Sequence, residues 1–308
     1  YNGVKVYKYN DKVYIIAVDF NGNVYVWNHK GEFLEEFKNK KIQGSVRAPV
    51  SIGDIDGDSI PDIVIATTEG KIFAINMQGN MLENFPVTLE KGIFVKPLVV
   101  DFTGDGRKEV IVSIRSFKGE IFVISGKGKI LENYTQKAGF IVGTDMLAGD
   151  IDNDDDTIEI VAMALNGKII AFNKKGVLSN FPIQVTGRIK NKGLIIEKDG
   201  VKYIACLLVN GEIALISSTG EIKQKIVTNI RPSKKTILVT YKIKDKQVFL
   251  FGGRNKRVNF TTFEGNPLKY KGIFGSDGID ISDMDNDDYI EVLSYAYDRK
   301  IYLYRILR

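Results

Sequence analysis

The stretch GKIFAINMQG at residues 70–79 begins and ends with glycine and carries apolar residues between them. Related ten-residue stretches recur along the chain, and successive copies begin 43–49 residues apart. The seven copies are GNVYVWNHKG (22–31), GKIFAINMQG (70–79), GEIFVISGKG (119–128), GKIIAFNKKG (167–176), GEIALISSTG (211–220), KRVNFTTFEG (256–265) and RKIYLYRILR (299–308). A repeat of about 20–50 residues is typical of propellers and solenoids.

Each copy is predicted to be a β-strand, because it is short and rich in β-formers, and five of the seven copies are bounded by glycine at both ends. A second run precedes each copy and is apolar on both faces, for example DIVIAT (62–67) and EVIVSI (109–114). Such a strand needs cover on both sides. A more polar segment follows each glycine-bounded copy, such as EIKQKI (221–226), and suits an outer edge strand. An inner segment, such as GLIIEKDG (193–200), precedes each doubly apolar run.

Four strands per repeat and seven repeats predict an all-β fold, a seven-bladed β-propeller of four-stranded antiparallel blades. An open β-solenoid is the alternative. The last blade shows three recognisable strands, so it either lacks its fourth strand or receives it from residues before Tyr1. We expect one propeller domain over residues 1–308, with blades at approximately 1–45, 46–92, 93–140, 141–188, 189–230, 231–272 and 273–308.

Composition excludes several classes of site. With 44% hydrophobic residues the chain can form a core, and no apolar run approaches the roughly 18–20 residues of a membrane helix. Cys206 is the single cysteine, which excludes an internal disulfide, and we expect it to be buried. His29 is the single histidine and falls in a turn, so neither a histidine-rich metal site nor a Ser–His mechanism is easily assembled. No spacing singles out a lysine base or a catalytic carboxylate pair.

Four acidic stretches follow the first strands of blades two, three, four and seven. The first is GDIDGDSIPDI at residues 53–63, and the others begin at residues 101, 150 and 283. Oxygen-bearing side chains fall at positions 1, 3, 5 and 9 of the aligned stretches, with one residue inserted in the third. The candidate ligands are Asp54, Asp56, Asp58 and Asp62; Asp101, Thr103, Asp105 and Glu109; Asp150, Asp152, Asp154, Asp156 and Glu159; and Asp283, Asp285, Asp287 and Glu291. Backbone carbonyls at position 7 are further candidates, at Ile60, Arg107 and Tyr289.

These carboxylates predict calcium. Ca²⁺ takes about six to eight oxygen ligands, and alternate carboxylates on a tight loop can converge on one ion. The chain is therefore expected to hold up to four Ca²⁺ ions. Solvated acidic turns are the alternative interpretation. An EF-hand is excluded because position 12 lacks glutamate and the flanks are strands, and transition metals are disfavoured because no His or Cys accompanies the acids.

The loops DIDGDSIPD, DFTGDGRKE, DIDNDDDTIE and DMDNDDYIE resemble the calcium loops of FG-GAP/VCBS-type propellers, the architecture also found in integrin α-subunit heads. The resemblance implies calcium binding and an extracellular or cell-surface adhesion or recognition module, sometimes appended to an enzyme. The chain departs from the family pattern at several positions. Only the second loop keeps the glycine at position 6, position 9 is glutamate in three loops, and Thr103 replaces an acid.

Positive charge is concentrated in one part of the chain. Residues 186–271 contain 18 Lys and Arg against 6 Asp and Glu, a net charge of +12, whereas the whole chain carries +5. Such asymmetry can attract an anionic partner, although ordinary solvation of a lysine-rich surface is the alternative. The first candidates for a partner-binding surface are Arg231, Lys234, Lys235, Arg254, Lys256 and Arg257. Nucleic acid is not expected, because no recognition motif accompanies the charge.

Three functions are consistent with this sequence. The first is a non-enzymatic, calcium-stabilised binding or adhesion propeller that recognises a protein or an anionic polysaccharide at a cell surface. The second is a structural subunit of a surface assembly whose last blade accepts a strand from a neighbour. The third is a polysaccharide-acting or quinone-dependent enzyme that uses the central funnel. Because no catalytic pair is identified, the first two are favoured.

Overall fold

The computed structural model describes residues 3–154, 157–243, 246–268, 270, 273–285, 287, 289–296, 298 and 300–307. The chain is a seven-bladed β-propeller of antiparallel sheets, which confirms the predicted fold. Within those residues the regular elements are 27 strands and two single-turn 3₁₀ helices. Strands follow one another in chain order within each sheet except at the outer edge of blade four, and the last blade has three strands, as predicted.

The first three blades lie between residues 4 and 137. Their strands are β1 (Val4–Tyr9), β2 (Lys12–Val18) and β3 (Val24–Asn28) in blade one; β4 (Ser51–Gly53), β5 (Asp62–Ala66), β6 (Lys71–Ile75) and β7 (Val87–Thr88) in blade two; and β8 (Leu98–Val100), β9 (Glu109–Ser113), β10 (Glu120–Ile124) and β11 (Gln136–Lys137) in blade three. The 3₁₀ helices are Glu35–Phe37 and Glu132–Tyr134.

The remaining four blades lie between residues 147 and 307. Their strands are β12 (Leu147–Gly149), β13 (Glu159–Met163), β14 (Lys168–Asn173), β15 (Gly176–Val177) and β16 (Ile183–Gln184) in blade four; β17 (Leu194–Lys198), β18 (Val201–Leu207), β19 (Glu212–Ile216) and β20 (Ile222–Val227) in blade five; β21 (Val239–Ile243), β22 (Lys246–Gly252), β23 (Val258–Thr262) and β24 (Pro267–Leu268) in blade six; and β25 (Ile279–Ser282), β26 (Tyr289–Tyr295) and β27 (Ile301–Leu307) in blade seven.

The second strands of blades two and six are apolar on both faces because each face packs against a different neighbouring blade. In β5, Ile63 and Ile65 share a buried cluster with Val26 of blade one. The alternate residues of the same strand, Val64 and Ala66, pack in a cluster with blade three. Burial of each such large aliphatic side chain contributes about 1.5–3 kcal/mol. One strand therefore ties three sheets together.

The same alternation occurs in β22 of blade six. Val248 and Leu250 belong to a cluster with the residues of blade seven. Phe249 and Phe251 belong to a cluster with the residues of blade five. The four side chains are fully buried. The stacking inferred from doubly apolar runs is thus present on both sides of this blade.

Two blades differ from the expected four strands. The outer segment of blade one pairs with β3 only through isolated bridges, such as that between Trp27 and Phe33. A 3₁₀ helix follows, and it places Phe37 in the core with an exposure of 1%. The polar segment around Phe37 therefore forms a helical turn in place of an outer strand, because the turn buries the aromatic side chain. In blade four the outer edge is divided into β15 and β16, which both pair with β14.

The chain divides into two compact units. The first comprises residues 1–150, 154–162 and 170–177, and the second comprises residues 151–153, 163–169 and 178–308. Each has its own buried apolar clusters, as described above for blades one to three and five to seven. Among the described residues there is no helix with the length and apolarity of a membrane span.

Candidate metal centres and a cationic surface

The four acidic loops occupy equivalent places in their blades. Loop 1 (residues 54–62), loop 2 (101–109), loop 3 (150–159) and loop 4 (283–291) each connect the first strand of a blade to the second. The acid at position 9 is the first residue of its strand in three loops and the third in loop 4. These four acids are buried, with exposures of 0–5%: Asp62, Glu109, Glu159 and Glu291. The apolar strand therefore carries one carboxylate into the interior beneath each loop.

Loop 1 is curled around its own carboxylates. Asp54 accepts hydrogen bonds from the backbone amides of Gly57 and Ser59, at 2.7 and 3.0 Å. Both donors have positive φ, 87° for Gly57 and 67° for Ser59, which is the left-handed conformation that a tight turn requires. Oxygen atoms of Asp54, Asp56 and Asp58 lie within 4.8 Å of one another. The turn thus gathers three negative charges at one point.

Asp62 is the last acid of this loop, and only one of its two carboxylate oxygens has a hydrogen-bond partner. Its Oδ2 accepts a hydrogen bond from the Ile55 amide at 3.0 Å, whereas the buried Oδ1 has no hydrogen-bond partner. Burial, together with the charges of the neighbouring aspartates of loop 1, raises the pKa of Asp62 to about 7. A buried oxygen that lacks a partner costs free energy unless something pairs with it. All-oxygen donors of this kind fit a hard cation such as Ca²⁺.

Loop 2 has the same turn with a weaker ligand set. Asp101 accepts three backbone hydrogen bonds at 2.7–3.1 Å, from the amides of Gly104, Asp105 and Gly106. Burial raises the pKa of Glu109, which accepts two further amide hydrogen bonds at 3.0 Å. The buried Thr103 Oγ1 has no hydrogen-bond partner. Among the described residues no group of three acids forms here, because threonine replaces the acid at position 3.

The carboxylates of loop 3 have partners within the protein, both neutral hydrogen-bond donors and one lysine. Oxygens of Asp150, Asp152 and Glu159 lie within 4.8 Å of one another. Glu159 also accepts hydrogen bonds from Thr157 Oγ1 at 2.8 Å and from Asn173 Nδ2 at 3.0 Å. Asp154 lies 3.7 Å from the ammonium of Lys175. Asp156, another predicted ligand, lies outside the described residues.

An arginine of β27 that the sequence analysis did not single out contacts loop 4. Oxygens of Asp283, Asp285 and Glu291 lie within 4.8 Å of one another. The Met284 amide donates to Glu291 Oε2 at 3.0 Å, and Arg305 Nε donates to Glu291 Oε1 at 3.1 Å. Arg305 is the cross-strand partner of Glu291, so the pairing of β26 with β27 brings it to the loop.

The three residues at position 7, whose backbone carbonyls were predicted as ligands, each make the same kind of hydrogen bond. The amides of Ile60, Arg107 and Tyr289 each donate to the aspartate two residues earlier, at 2.7, 2.9 and 2.7 Å. The same contact therefore recurs in loops 1, 2 and 4. The role of their carbonyl oxygens as ligands stays a prediction.

A cavity of about 410 Å³ lies beside loop 2 and is lined by Asp101, Asp150 and Lys174, among others. The ammonium of Lys174 donates to the Thr103 carbonyl oxygen at 2.9 Å. This lysine comes from the turn between β14 and β15, so the next blade supplies a positive charge to loop 2. This positive charge partly compensates the negative charge of loop 2, which a metal ion would otherwise do.

Gly126 fixes the position of loop 1 from the neighbouring blade. A Cβ atom at Gly126 would lie 1.6 Å from the carbonyl oxygen of Ile55, so only glycine fits at this position. The turn after β10 therefore packs directly on the backbone of loop 1. Sequence reasoning treated this glycine as part of a repeat and missed the contact.

The six predicted cationic residues are all exposed, on two segments of blade six: Arg231, Lys234, Lys235, Arg254, Lys256 and Arg257. The Arg254 amide donates to the Arg231 carbonyl at 2.8 Å, which joins the two segments. The structure adds half-buried Lys190. Burial lowers the pKa of Lys190, and the charges of Arg254 and Lys234 lower it further, opposed by Asp277.

Lys190, Lys234 and Arg254 are hereafter the cationic cluster. Two of the three were among the predicted residues. Lys190 was missed because its neighbours come from another blade, so no local sequence pattern marks it.

Cys206 and His29 have the surroundings expected from the sequence. Cys206 is fully buried, and burial raises the pKa of its thiol to about 12, so it is no nucleophile at neutral pH. His29 is exposed in its turn.

The fold is shared with several solved structures. BBS1N in complex with ARL6DN, soaked with mercury, matches with a TM-score of 0.69 and 11% identity, over 100% of this chain and 92% of that chain. Saccharomyces cerevisiae Sqt1 matches with a TM-score of 0.70 and 12% identity, over 96% and 81%. BamB from Moraxella catarrhalis matches with a TM-score of 0.55 and 13% identity, over 99% and 94%. At such identities the likeness establishes the propeller fold alone.

No curated protein sequence matches the chain significantly. The FG-GAP/VCBS resemblance stays a prediction. A family model does match, the lambda-carrageenase beta-propeller domain, over residues 14–90 and 110–260. These two ranges make up most of the chain, and the chain therefore belongs to the lambda-carrageenase β-propeller domain family.

Proposed function

We propose that this chain is a calcium-stabilised β-propeller that binds an anionic polysaccharide outside the cell. Calcium ions bind at acidic loops, loop 1 above all, and the cationic cluster with its exposed neighbours on blade six forms the contact surface. In this proposal the propeller is a binding module, and no residue of it is assigned a catalytic role.

The calcium site is supported chiefly by one observation, the unpaired and fully buried Oδ1 of Asp62 in the same loop as the three gathered carboxylates. Four negative charges placed together destabilise a fold unless a cation compensates them. Bound Ca²⁺ would turn this repulsion into attraction and supply the missing partner of Asp62. The loop pattern of the FG-GAP/VCBS-type supports the same interpretation.

The location outside the cell follows from the proposed ion. Extracellular calcium modules bind with dissociation constants of about 10⁻⁴–10⁻³ M, which match millimolar external calcium and exceed cytosolic levels. Loops with a threonine in place of an acid, as in loop 2, belong at the weak end of such a range. We therefore propose a secreted or cell-surface protein.

The partner class is supported by the cationic cluster and by the family. Burial chiefly lowers the pKa of Lys190, and the charges of Arg254 and Lys234 lower it further, so an added anion here would relieve their repulsion. The family is named after lambda-carrageenase, and carrageenans are, as a class of compound, sulfated polysaccharides with a high density of negative charge. A sulfated galactan is therefore the polyanion that we propose as partner, and an acidic protein surface is the alternative.

Isothermal titration calorimetry with Ca²⁺ tests the metal half of the proposal. Wild-type protein, freed of metal with a chelator and dialysed, is compared with Asp62→Asn and with Asp54→Asn. Asp11→Asn is the matched control, because Asp11 pairs with Lys8 at an exposed turn. We expect calcium binding in the wild type and the control, and the loss of one site in both loop 1 variants. Absence of calcium binding by the wild type at millimolar concentrations would disprove the proposal.

A polysaccharide-acting enzyme is the second candidate, because the family takes its name from an enzyme. Release of reducing ends from lambda-carrageenan by the purified chain would establish it in place of a binding module. Binding without turnover is the result expected here.

A subunit completed by a partner strand is the third candidate, since blade seven has three strands and its last strand exposes Ile301 and Leu303. Self-association that is lost in Ile301→Lys, measured by sedimentation, would support it.

A further inference from the structure

Loop 4 differs from the other loops because an arginine of this chain reaches its carboxylates. The guanidinium of Arg305 donates from Nε to Glu291 Oε1 at 3.1 Å. Its Nη2 lies 3.6 Å from Asp285 Oδ2 and also pairs with Asp287. The same group lies over the ring of Tyr289, 4.8 Å from the ring centroid. One cation thus contacts three of the four acids that were predicted as metal ligands in this loop.

The register of the last two strands fixes this arrangement. Glu291 and Arg305 are directly opposite in the antiparallel pair of β26 and β27, a pairing that places two side chains on the same face of the sheet. Glu291 is buried, so its charge must be compensated within the protein. Arginine remains protonated at any physiological pH and offers several donors in a planar fork, which suits two or more carboxylates at once.

Loop 1 provides the contrast. Within the described part of the chain, no lysine or arginine forms an ion pair with Asp54, Asp56, Asp58 or Asp62. Its buried Asp62 oxygen lacks a partner, whereas in loop 4 the equivalent Glu291 has hydrogen bonds to both carboxylate oxygens. The two loops have the same spacing of acids, but the negative charge of loop 4 is compensated by an arginine and that of loop 1 is not. A metal ion at loop 4 would have to displace a guanidinium, and a metal ion at loop 1 would not.

We propose that Arg305 is a built-in counter-ion that takes the place of calcium at loop 4. This inference rests on the proposed function, because it assumes that the other loops bind calcium. It predicts that loop 4 contributes no calcium site in the wild type. It also predicts that removal of the guanidinium converts loop 4 into a metal site.

The test is the calcium stoichiometry of matched variants, measured by calorimetry on the full chain. Arg305→Gln is expected to bind one more Ca²⁺ than the wild type, and Arg305→Gln with Asp285→Asn is expected to return to the wild-type number. Arg115→Gln is the control, since Arg115 is an exposed arginine that lies over the Phe94 ring. An unchanged stoichiometry in a folded Arg305→Gln variant would overturn the inference.

A second measurement does not depend on the folding of the arginine variant. Asp285→Asn in the wild-type background is expected to leave the number of bound calcium ions unchanged, because loop 4 binds none. Loss of one site in this variant would overturn the inference while leaving the proposed function intact. Absence of calcium binding in every variant would instead disprove the proposed function. The two failures are therefore distinguishable.

Discussion

The amide of Ile55 donates to Oδ2 of Asp62 at 3.0 Å, while the other carboxylate oxygen of Asp62 is buried without a partner. Position 1 of β5 is thus an acid in an otherwise apolar strand, tied to loop 1 on one side only. This arrangement makes the charge of Asp62 unfavourable in the absence of a cation and favourable in its presence. Stability should therefore depend on calcium and on pH in a way that one substitution can reveal.

The first prediction concerns Asp62→Asn in the calcium-free protein. Burial raises the pKa of Asp62 from its ordinary 3.8 to about 7, so the folded state binds this proton more tightly than the unfolded chain does. The contribution of Asp62 is therefore fully present below about pH 4 and is lost as pH rises to about 7. At pH 8 with chelator, Asp62→Asn should be more stable than the wild type by roughly 1–4 kcal/mol, at about 1.4 kcal/mol per pKa unit.

The same pair of proteins supplies its own control. At pH 4 with chelator, urea unfolding of the two should coincide, because both side chains are neutral. At pH 8 with millimolar calcium the order should reverse, since only the aspartate can bind the ion as a charged ligand. A wild type that is more stable than Asp62→Asn at pH 8 with chelator would contradict this account of Asp62.

The second prediction concerns Gly126→Ala. The new methyl group would meet the Ile55 carbonyl at 1.6 Å, so loop 1 must shift away from blade three. We expect calcium affinity at loop 1 to fall at least tenfold, measured by calorimetry, together with a lower melting temperature. Gly278→Ala is the matched control, because its nearest contact would be an ordinary 3.6 Å from the Tyr295 Cβ. Equal effects of the two substitutions would show that Gly126 has no special role at the loop.

The third prediction tests the stacking of blades. Ile65 is fully buried between blades one and two, so Ile65→Ala should lower the free energy of unfolding by about 2–5 kcal/mol. Ile301→Ala removes the same atoms at a site that is 70% exposed, and it should change stability by less than about 0.5 kcal/mol. Urea unfolding followed by far-UV circular dichroism measures both. Similar losses in the two variants would contradict burial of the strand between sheets.

The fold could be predicted from the sequence because the pattern within each strand and the spacing of the repeats indicated the same architecture. Doubly apolar runs such as Ile63–Ala66 are explicable only if both faces are covered, and the repeat spacing gave the number of sheets. The prediction of strands was wrong where the burial of a single side chain changed the structure of one repeat. The outer segment of blade one forms a 3₁₀ turn that buries Phe37, and its polar sequence EFLEEFK (32–38) does not reveal this.

The candidate sites were predictable only in part, for a related reason. Spacing within one loop identifies carboxylates that can converge, and the structure gathers them in loops 1, 3 and 4. The partners that decide the chemistry come from elsewhere in the chain. Gly126 and Arg305 lie far from their loops in sequence, and strand register or blade stacking brings them close. No local motif encodes such contacts.

The last prediction concerns the cationic cluster. Lys190→Gln with Arg254→Gln removes two of three crowded positive charges, so binding of lambda-carrageenan should weaken at least tenfold and become less sensitive to salt. Lys118→Gln with Lys127→Gln removes the same charge from exposed positions in blade three and is the matched control. Biolayer interferometry at 50 and 200 mM NaCl measures both effects, and neutral agarose serves as the uncharged ligand. If the two double variants weaken binding equally, net charge rather than this cluster attracts the polysaccharide, and the proposed contact surface is wrong.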